Sequence, residues 1–369
     1  MWPWIKRWRD WAMHDLWPMH RIGPQPQALH YSYEKAGLTL HDQPIPWNAE
    51  VVWVEVPLRF PPGAARRKAD FQLVLAGQAP LPAESLRRQE PEERYHLFFR
   101  FPPPARTTTA ELLSRGRRLG QLTLPVLGRG EFIQNLCLQM PTLFVRLGDQ
   151  NVACQTFVSS QCKGLMASAV LTSPTSLVPL LDLGLQVDFR SERGGPVHSV
   201  QARLCSSQLA DRQALVAVVP RRFRRMGTWT ATWVVGDRHL ATQRVRAISQ
   251  RTFQHSLRVS DTRFIVQTKK EGIKLSRALP ALEGVEGLGP CFLVASQEPG
   301  MAGLCPLQVR VQVPGAVKSP VVLEQEVLIT DGPTTVAPGT LEAADLARVN
   351  AFELWLKGTM LGVLSLSPA

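Results

Sequence analysis

The chain is poor in several things that would have made it easy to place. Only 9 of its 42 basic residues are lysine and only three residues are tyrosine. No run of ~18 uninterrupted apolar residues occurs, which excludes a membrane-spanning helix. Residues 1–17, MWPWIKRWRDWAMHDLW, have no apolar signal-peptide core, because charges interrupt them throughout. The six cysteines, Cys137, Cys154, Cys162, Cys205, Cys291 and Cys305, show no C-x-x-C pairing and no repeated spacing. Most lie in apolar or alternating runs, as reduced buried thiols do. These two features together point to the cytoplasm.

Catalytic and cofactor signals are equally scarce. There is no G-x-S-x-G, no phosphate-binding G-x-x-x-x-G-K-[ST] and no strand–G-x-G-x-x-G–helix. Ser160 and Lys163 have S-x-x-K spacing, but its companion motifs are missing. Cys162 beside Lys163 has no histidine nearby in sequence. The eight histidines form no H-x-H, H-x-x-x-H or H-E-x-x-H, so no pair of metal ligands shares a strand or helix face. Gly148-Asp149-Gln150-Asn151 has too few carboxylates for calcium and reads as a turn. Gly284–Gly289 is glycine-rich without a following helix and reads as a loop. The expectation is a non-enzyme with no cofactor and no metal.

What is abundant is the vocabulary of β-sheet. The 369 residues include 30 prolines, which disfavour long helices. Short runs with period-2 alternation recur, among them Val51–Leu58, Tyr95–Phe101, Val197–Leu204, Thr228–Val235 and Leu307–Val313. An internal repeat organises them. Leu112–Leu127, Trp233–Ile248 and Leu354–Ala369 each read as strand, glycine-containing turn, leucine, strand. Leu119, Leu240 and Leu361 align at intervals of 121 residues. Gly116, Gly236 and Gly358 sit in or beside the turn, where a tight hairpin needs positive φ. Ala36–Leu40, Gln150–Cys154 and Glu271–Leu275 form a matching opening element.

The fold class is therefore all-β: three tandem immunoglobulin-like β-sandwich units preceded by a short Trp-rich amphipathic helix. The units fall at 28–138, 139–252 and 253–369, after a helix and Pro-rich tether at 1–27. In layout this resembles tandem immunoglobulin-like or macroglobulin-like modules, without the cysteine–tryptophan–cysteine spacing of true immunoglobulin domains. Two segments interrupt the β pattern. Pro82–Arg94 reads as an exposed loop or short helix. Gly339–Phe352 reads as a short helix capped by Thr340.

Charge is uneven. The net charge is +12 overall, +8 in residues 139–252 and −1 in residues 253–369. Two surfaces stand out. Five of the ten tryptophans lie in the first 17 residues. On a helix, Trp4, Trp8, Trp11 and Leu16 share an arc of roughly 140°, with Asp15 as the polar exception inside it. Such a face packs on its own chain, docks on a protein partner, or lies in a membrane interface. The second surface is Arg221, Arg222, Arg224 and Arg225 around Phe223, between two strands. It suits an acidic partner; no nucleic-acid module accompanies it, which argues against nucleic acid. The expected function is that of a cytoplasmic interaction or scaffold protein with a protein partner. The alternative is a peripheral membrane protein anchored by residues 1–18 and assisted by the basic middle unit.

Overall fold

A computed structural model describes residues 24–61, 66–89, 94–204, 208–218, 226–270, 272–315 and 320–366, without the side chains of 343 and 344. The described chain is all-β, with short helical turns between strands. It divides into two compact units. One comprises Met1–Cys137, Thr172–Leu183 and Ser206–Ala214; the other comprises Leu138–Leu171, Gly184–Cys205 and Leu215–Ala369.

The principal strands are β1 His30–Lys35, β2 Leu38–His41, β3 Val51–Arg59, β4 Phe71–Leu75, β5 Ser85–Gln89, β6 Arg94–Phe101, β7 Thr108–Ser114 and β8 Arg117–Leu124. Next come β9 Cys137–Leu147, β10 Gln150–Ala153, β11 Cys162–Thr172, β12 Leu185–Ser191, β13 His198–Leu204, β14 Gln213–Val218, β15 Gly227–Val235 and β16 Arg238–Ile248. The last set is β17 Leu257–Thr268, β18 Gly272–Ser276, β19 Val285–Ser296, β20 Met301–Gln312, β21 Val321–Ile329, β22 Thr334–Val336, β23 Ala351–Leu356 and β24 Thr359–Ser365.

The alternation seen in the sequence builds the cores. Along β3, Val52, Val54, Val56 and Leu58 are fully buried, while Val51, Trp53, Glu55 and Pro57 face outward. β6 supplies Leu97 and Phe99, and β4 supplies Phe71 and Leu73, to the same interior. Each such side chain contributes ~1.5–3 kcal/mol of transfer free energy, so a misplaced register would be costly.

One pairing order recurs in the three sets of eight. One order runs β2-β1-β3-β6, then β10-β9-β11-β14, then β18-β17-β19-β22. The other runs β8-β7-β4, then β16-β15-β12, then β24-β23-β20; β13 and the segment Thr156–Val158 join both middle orders and β20-β23-β24 into one 13-stranded sheet. The fifth strand of each set varies. β5 pairs β6, β13 pairs both β12 and β14, and β21 pairs β20. A closing hairpin ends every set, and each carries a bulge. Leu112 pairs Gly120 and Leu113 pairs Arg118, leaving Leu119 unpaired. Leu240 and Leu361 are skipped in the same way. The turns Arg115-Gly116 and Lys357-Gly358 have positive φ at both residues, which matches the right-handed twist of the flanking strands.

Short helices precede the second and third sets: α1 Arg129–Asn135 and α2 Gln250–Ser256. Each turns one phenylalanine, Phe132 or Phe253, fully inward. In α2 the Ser249 side chain caps the helix by accepting from Thr252 N. Between β16 and β20 lies the segment Thr156–Val158, hydrogen-bonded in parallel to both. Gln161 extends that seam: its Nε2 donates to Leu304 O at 2.7 Å and its Oε1 accepts from Leu304 N at 2.7 Å. An amide side chain thus substitutes for a strand.

Three local expectations are corrected. Within Pro82–Arg94, expected as an exposed loop or short helix, Ser85–Gln89 forms the edge strand β5 against β6. Gly287 and Gly289 lie within strand β19 rather than a loop; a Cβ on Gly289 would sit 1.8 Å from Gly339 O, so the glycine permits a close backbone approach. The helix expected over Gly339–Phe352 shrinks to α3, Ala343–Leu346, with Glu342 rather than Thr340 at its N-cap. Thr340 instead donates to Gln267 Oε1 at 3.1 Å.

Candidate interaction surface

Both surfaces singled out in the sequence, Trp4, Trp8, Trp11 and Leu16 and the cluster Arg221, Arg222, Arg224 and Arg225, lie outside the described residues. The described chain begins beside β3, where Gln25 and Pro26 pair with Arg59 and Leu58. Nearby, Phe60 packs edge-on against Tyr95 and Phe71, with centroids 5.2 and 6.1 Å away. Arg66 lies over the Tyr95 ring and donates to its hydroxyl at 2.5 Å.

The outward face of β2-β1-β3-β6-β5 carries an interlocked set of aromatic and charged groups. Register places Trp53 opposite Arg100 and Glu55 opposite Phe98. The Arg100 guanidinium lies 5.5 Å from the Trp53 ring centre, and the indole N–H donates to Glu34 Oε1 at 2.8 Å. His96 Nδ1 is hydrogen-bonded to Glu55, its ring stacks on Phe98, and Arg87 covers Phe98 at 5.3 Å. Alternation in β3 and β6 signalled these outward positions. Their mutual contacts needed the cross-strand register, which the sequence does not state.

The second unit repeats the chemistry on its β20-β23 face. Arg310 lies 4.8 Å from the Trp355 ring centre, and Trp355 Nε1 donates to Glu353 Oε2 at 2.7 Å. Trp and Arg are enriched in interface hot spots because they offer large, preorganised contact area. Trp53 and Trp355 are half-buried, and Glu353 is buried. A shallow groove of about 430 Å3 lies at α2, lined by Arg251, Thr252, His255, Ser256, Gln297 and Glu298. Glu298 there is engaged by Arg246 at 2.7 Å.

Nucleophile chemistry finds little footing among the described residues. Cys162 is buried, whereas Lys163 beside it points outward to Asp149 at 3.8 Å, as neighbours on a strand must. Burial pushes the Cys154 thiol up to about 12, with Cys162 adding to it, and burial does the same to Cys305. Both are held as thiols. Two carboxylates are held ionised instead. Asp182 is lowered by hydrogen bonds from Lys35 and Asn48, and Asp261 chiefly by Arg263 and then Arg277. No group of three or more His, Cys, Asp or Glu among the described residues could hold a metal ion.

No family model matches the chain, and no curated protein matches it. Solved structures similar to it include the I9–I11 tandem of titin, at 7% identity and a TM-score of 0.26 over 86% of this chain and 92% of that one. The Escherichia coli adhesin FdeC is similar at 8% identity and a TM-score of 0.26, over 93% and 98%. The FN1–FN3 domains of chicken CNTN1 give 8% and 0.24, over 93% and 99%. TM-scores this low leave the fold to be read from the strand pairing itself.

Proposed function

We propose that the chain is a non-enzymatic interaction protein made of three tandem immunoglobulin-like modules at 28–138, 139–252 and 253–369. The observation that carries this reading is the threefold recurrence of one strand-pairing order. Loops and edges of β-sandwiches display binding surface on a folded scaffold. The Trp–Arg–Glu clusters support a binding role, and the buried thiols of Cys154, Cys291 and Cys305 support a reducing compartment, the cytoplasm.

In this reading a protein partner docks on the N-terminal segment through Trp4, Trp8, Trp11 and Leu16, while Arg221, Arg222, Arg224 and Arg225 engage acidic groups. The test is affinity capture from host lysate with the intact chain, a Trp4/Trp8/Trp11→Ala variant and an Arg221/Arg222/Arg224/Arg225→Ala variant. One protein should be retained by the intact chain and lost by the tryptophan variant. Unchanged capture by both variants would refute the assignment. The +8 charge of residues 139–252 favours one further reading, a peripheral membrane protein anchored by residues 1–18. Binding to anionic vesicles that vanishes in the tryptophan variant would select it.

A further inference from the structure

The third set of strands carries two exposed edges of opposite charge. The first is β18, the end strand of its sheet. In the corresponding strands of the other sets the apolar residue faces the core: Leu40 lies opposite buried Tyr33, and Val152 opposite buried Val145. In β18 this polarity is reversed. Lys274 lies opposite core Val266, while Ile273 and Leu275 face outward, 70% and 56% exposed. The surrounding run, residues 269–277, adds Lys269, Lys270 and Arg277 against one Glu271. Of these, Lys269 contacts Glu286 at 3.8 Å and Arg277 contacts Asp261 at 3.0 Å.

The second edge is β21. Its counterpart β13 is paired on both sides, whereas β21 pairs only β20 among the described residues. It carries Glu324 and Glu326 and no cation, with Val321 and Val322 49% and 41% exposed. Glu324 accepts a neutral contact from Gln308 Nε2 at 3.2 Å. Natural edges are ordinarily blunted by charge, twist or cover, because an open ladder recruits another strand. Here each edge keeps apolar residues outward, and the two charges are complementary.

We propose that β18 of one copy adds to β21 of a second copy, so that the chain self-associates head to tail. An antiparallel register with Lys274 opposite Glu324 brings Leu275 opposite Leu323 and makes Glu326 a diagonal neighbour of Lys274. The contact is heterologous: β18 of one copy meets β21 of the next, so assembly propagates as open chains or closes into rings. One strand on one strand buries less than the ~1,200 Å2 of a stable interface, so assembly is weak and depends on concentration.

The experiment is sedimentation velocity on the full chain over a concentration series, at low and high salt. The intact protein should show a mass that rises with concentration and falls with salt. Lys274→Glu alone, and Glu324→Lys with Glu326→Lys, should each lower the association constant by about tenfold or more, because like charges then face each other. Mixing the two variants should restore assembly, since both mixed contacts again pair opposite charges. Circular dichroism would confirm that these exposed substitutions leave the fold intact. A chain that stays monomeric throughout, variants that associate like the parent, or a mixture that fails to recover would overturn the proposal.

Discussion

Trp233 pairs with Ala241, and the next rung, Val234 with His239, skips Leu240. The same skip falls at Leu119 and Leu361, so the aligned leucines of the repeat are its bulge residues. A bulge adds one residue to one strand and sets which face the rest of that strand presents. Deleting Leu361 should turn Leu364, 7% exposed in the core, towards solvent. The expected cost is about 2–5 kcal/mol, measured by urea unfolding. An unchanged midpoint would show that the bulge does not set the register.

Phe132 and Phe253 occupy matching places in α1 and α2 and are fully buried. Phe253 lies close against Gly303, where an added Cβ would come within 2.9 Å of its ring. Phe132→Ala and Phe253→Ala should each destabilise by about 3–5 kcal/mol. Values under 1 kcal/mol in denaturant titrations would mean these helices are dispensable.

Gly289 has no room for a methyl group, because Gly339 O occupies the space. Backbone, not a flexible side chain, would have to move. Gly289→Ala should therefore lower the thermal midpoint clearly, while Gly130→Ala, with nothing within 4 Å, should not. Equal behaviour of the two would contradict the close approach.

Alkali should weaken the fold. Burial raises Tyr31, Cys154 and Cys305 to about 12 from ordinary values of 10.0, 9.0 and 9.0. The unfolded chain releases these protons first, so stability is full below about 9 and falls as pH climbs towards 12. Replacing Cys154 and Cys305 by alanine should flatten the dependence of the urea midpoint on pH. A slope that persists unchanged would exclude the thiols as its source.

Asp261 works in the opposite range. Its carboxyl is lowered by Arg263 and Arg277, so its contribution is present above the ordinary carboxylate value of about 4 and is lost as pH falls through the folded value. Asp261→Asn should lower the midpoint at neutral pH and match the parent in strong acid. A gap that widens in acid would reverse the assignment.

Much of this was legible because alternation is local. Val51–Leu58 and Tyr95–Phe101 read as strands, and β3 and β6 are there. The hairpin repeat was visible because its turns demand glycine. The repeated helices were missed although Phe132 and Phe253 are also 121 residues apart. A seven-residue helix has too few turns to establish a 3.6-residue period. Edge strand β5 has little signal in the sequence, because SLRRQ offers a single apolar residue, Leu86, and no alternation. The Trp53–Arg100–Glu34 cluster depends on three strands meeting in one register, and no local pattern encodes that.

The segment Thr156–Val158, bonded to β16 on one side and β20 on the other, has a consequence for dissection. Val158, Ile248 and Phe253 all belong to the core that also contains Phe292 and Leu354. A fragment cut to begin at Leu257 would leave part of its own interior behind. Any transplant of the last eight strands has to carry Thr156–Val158 and α2 with it.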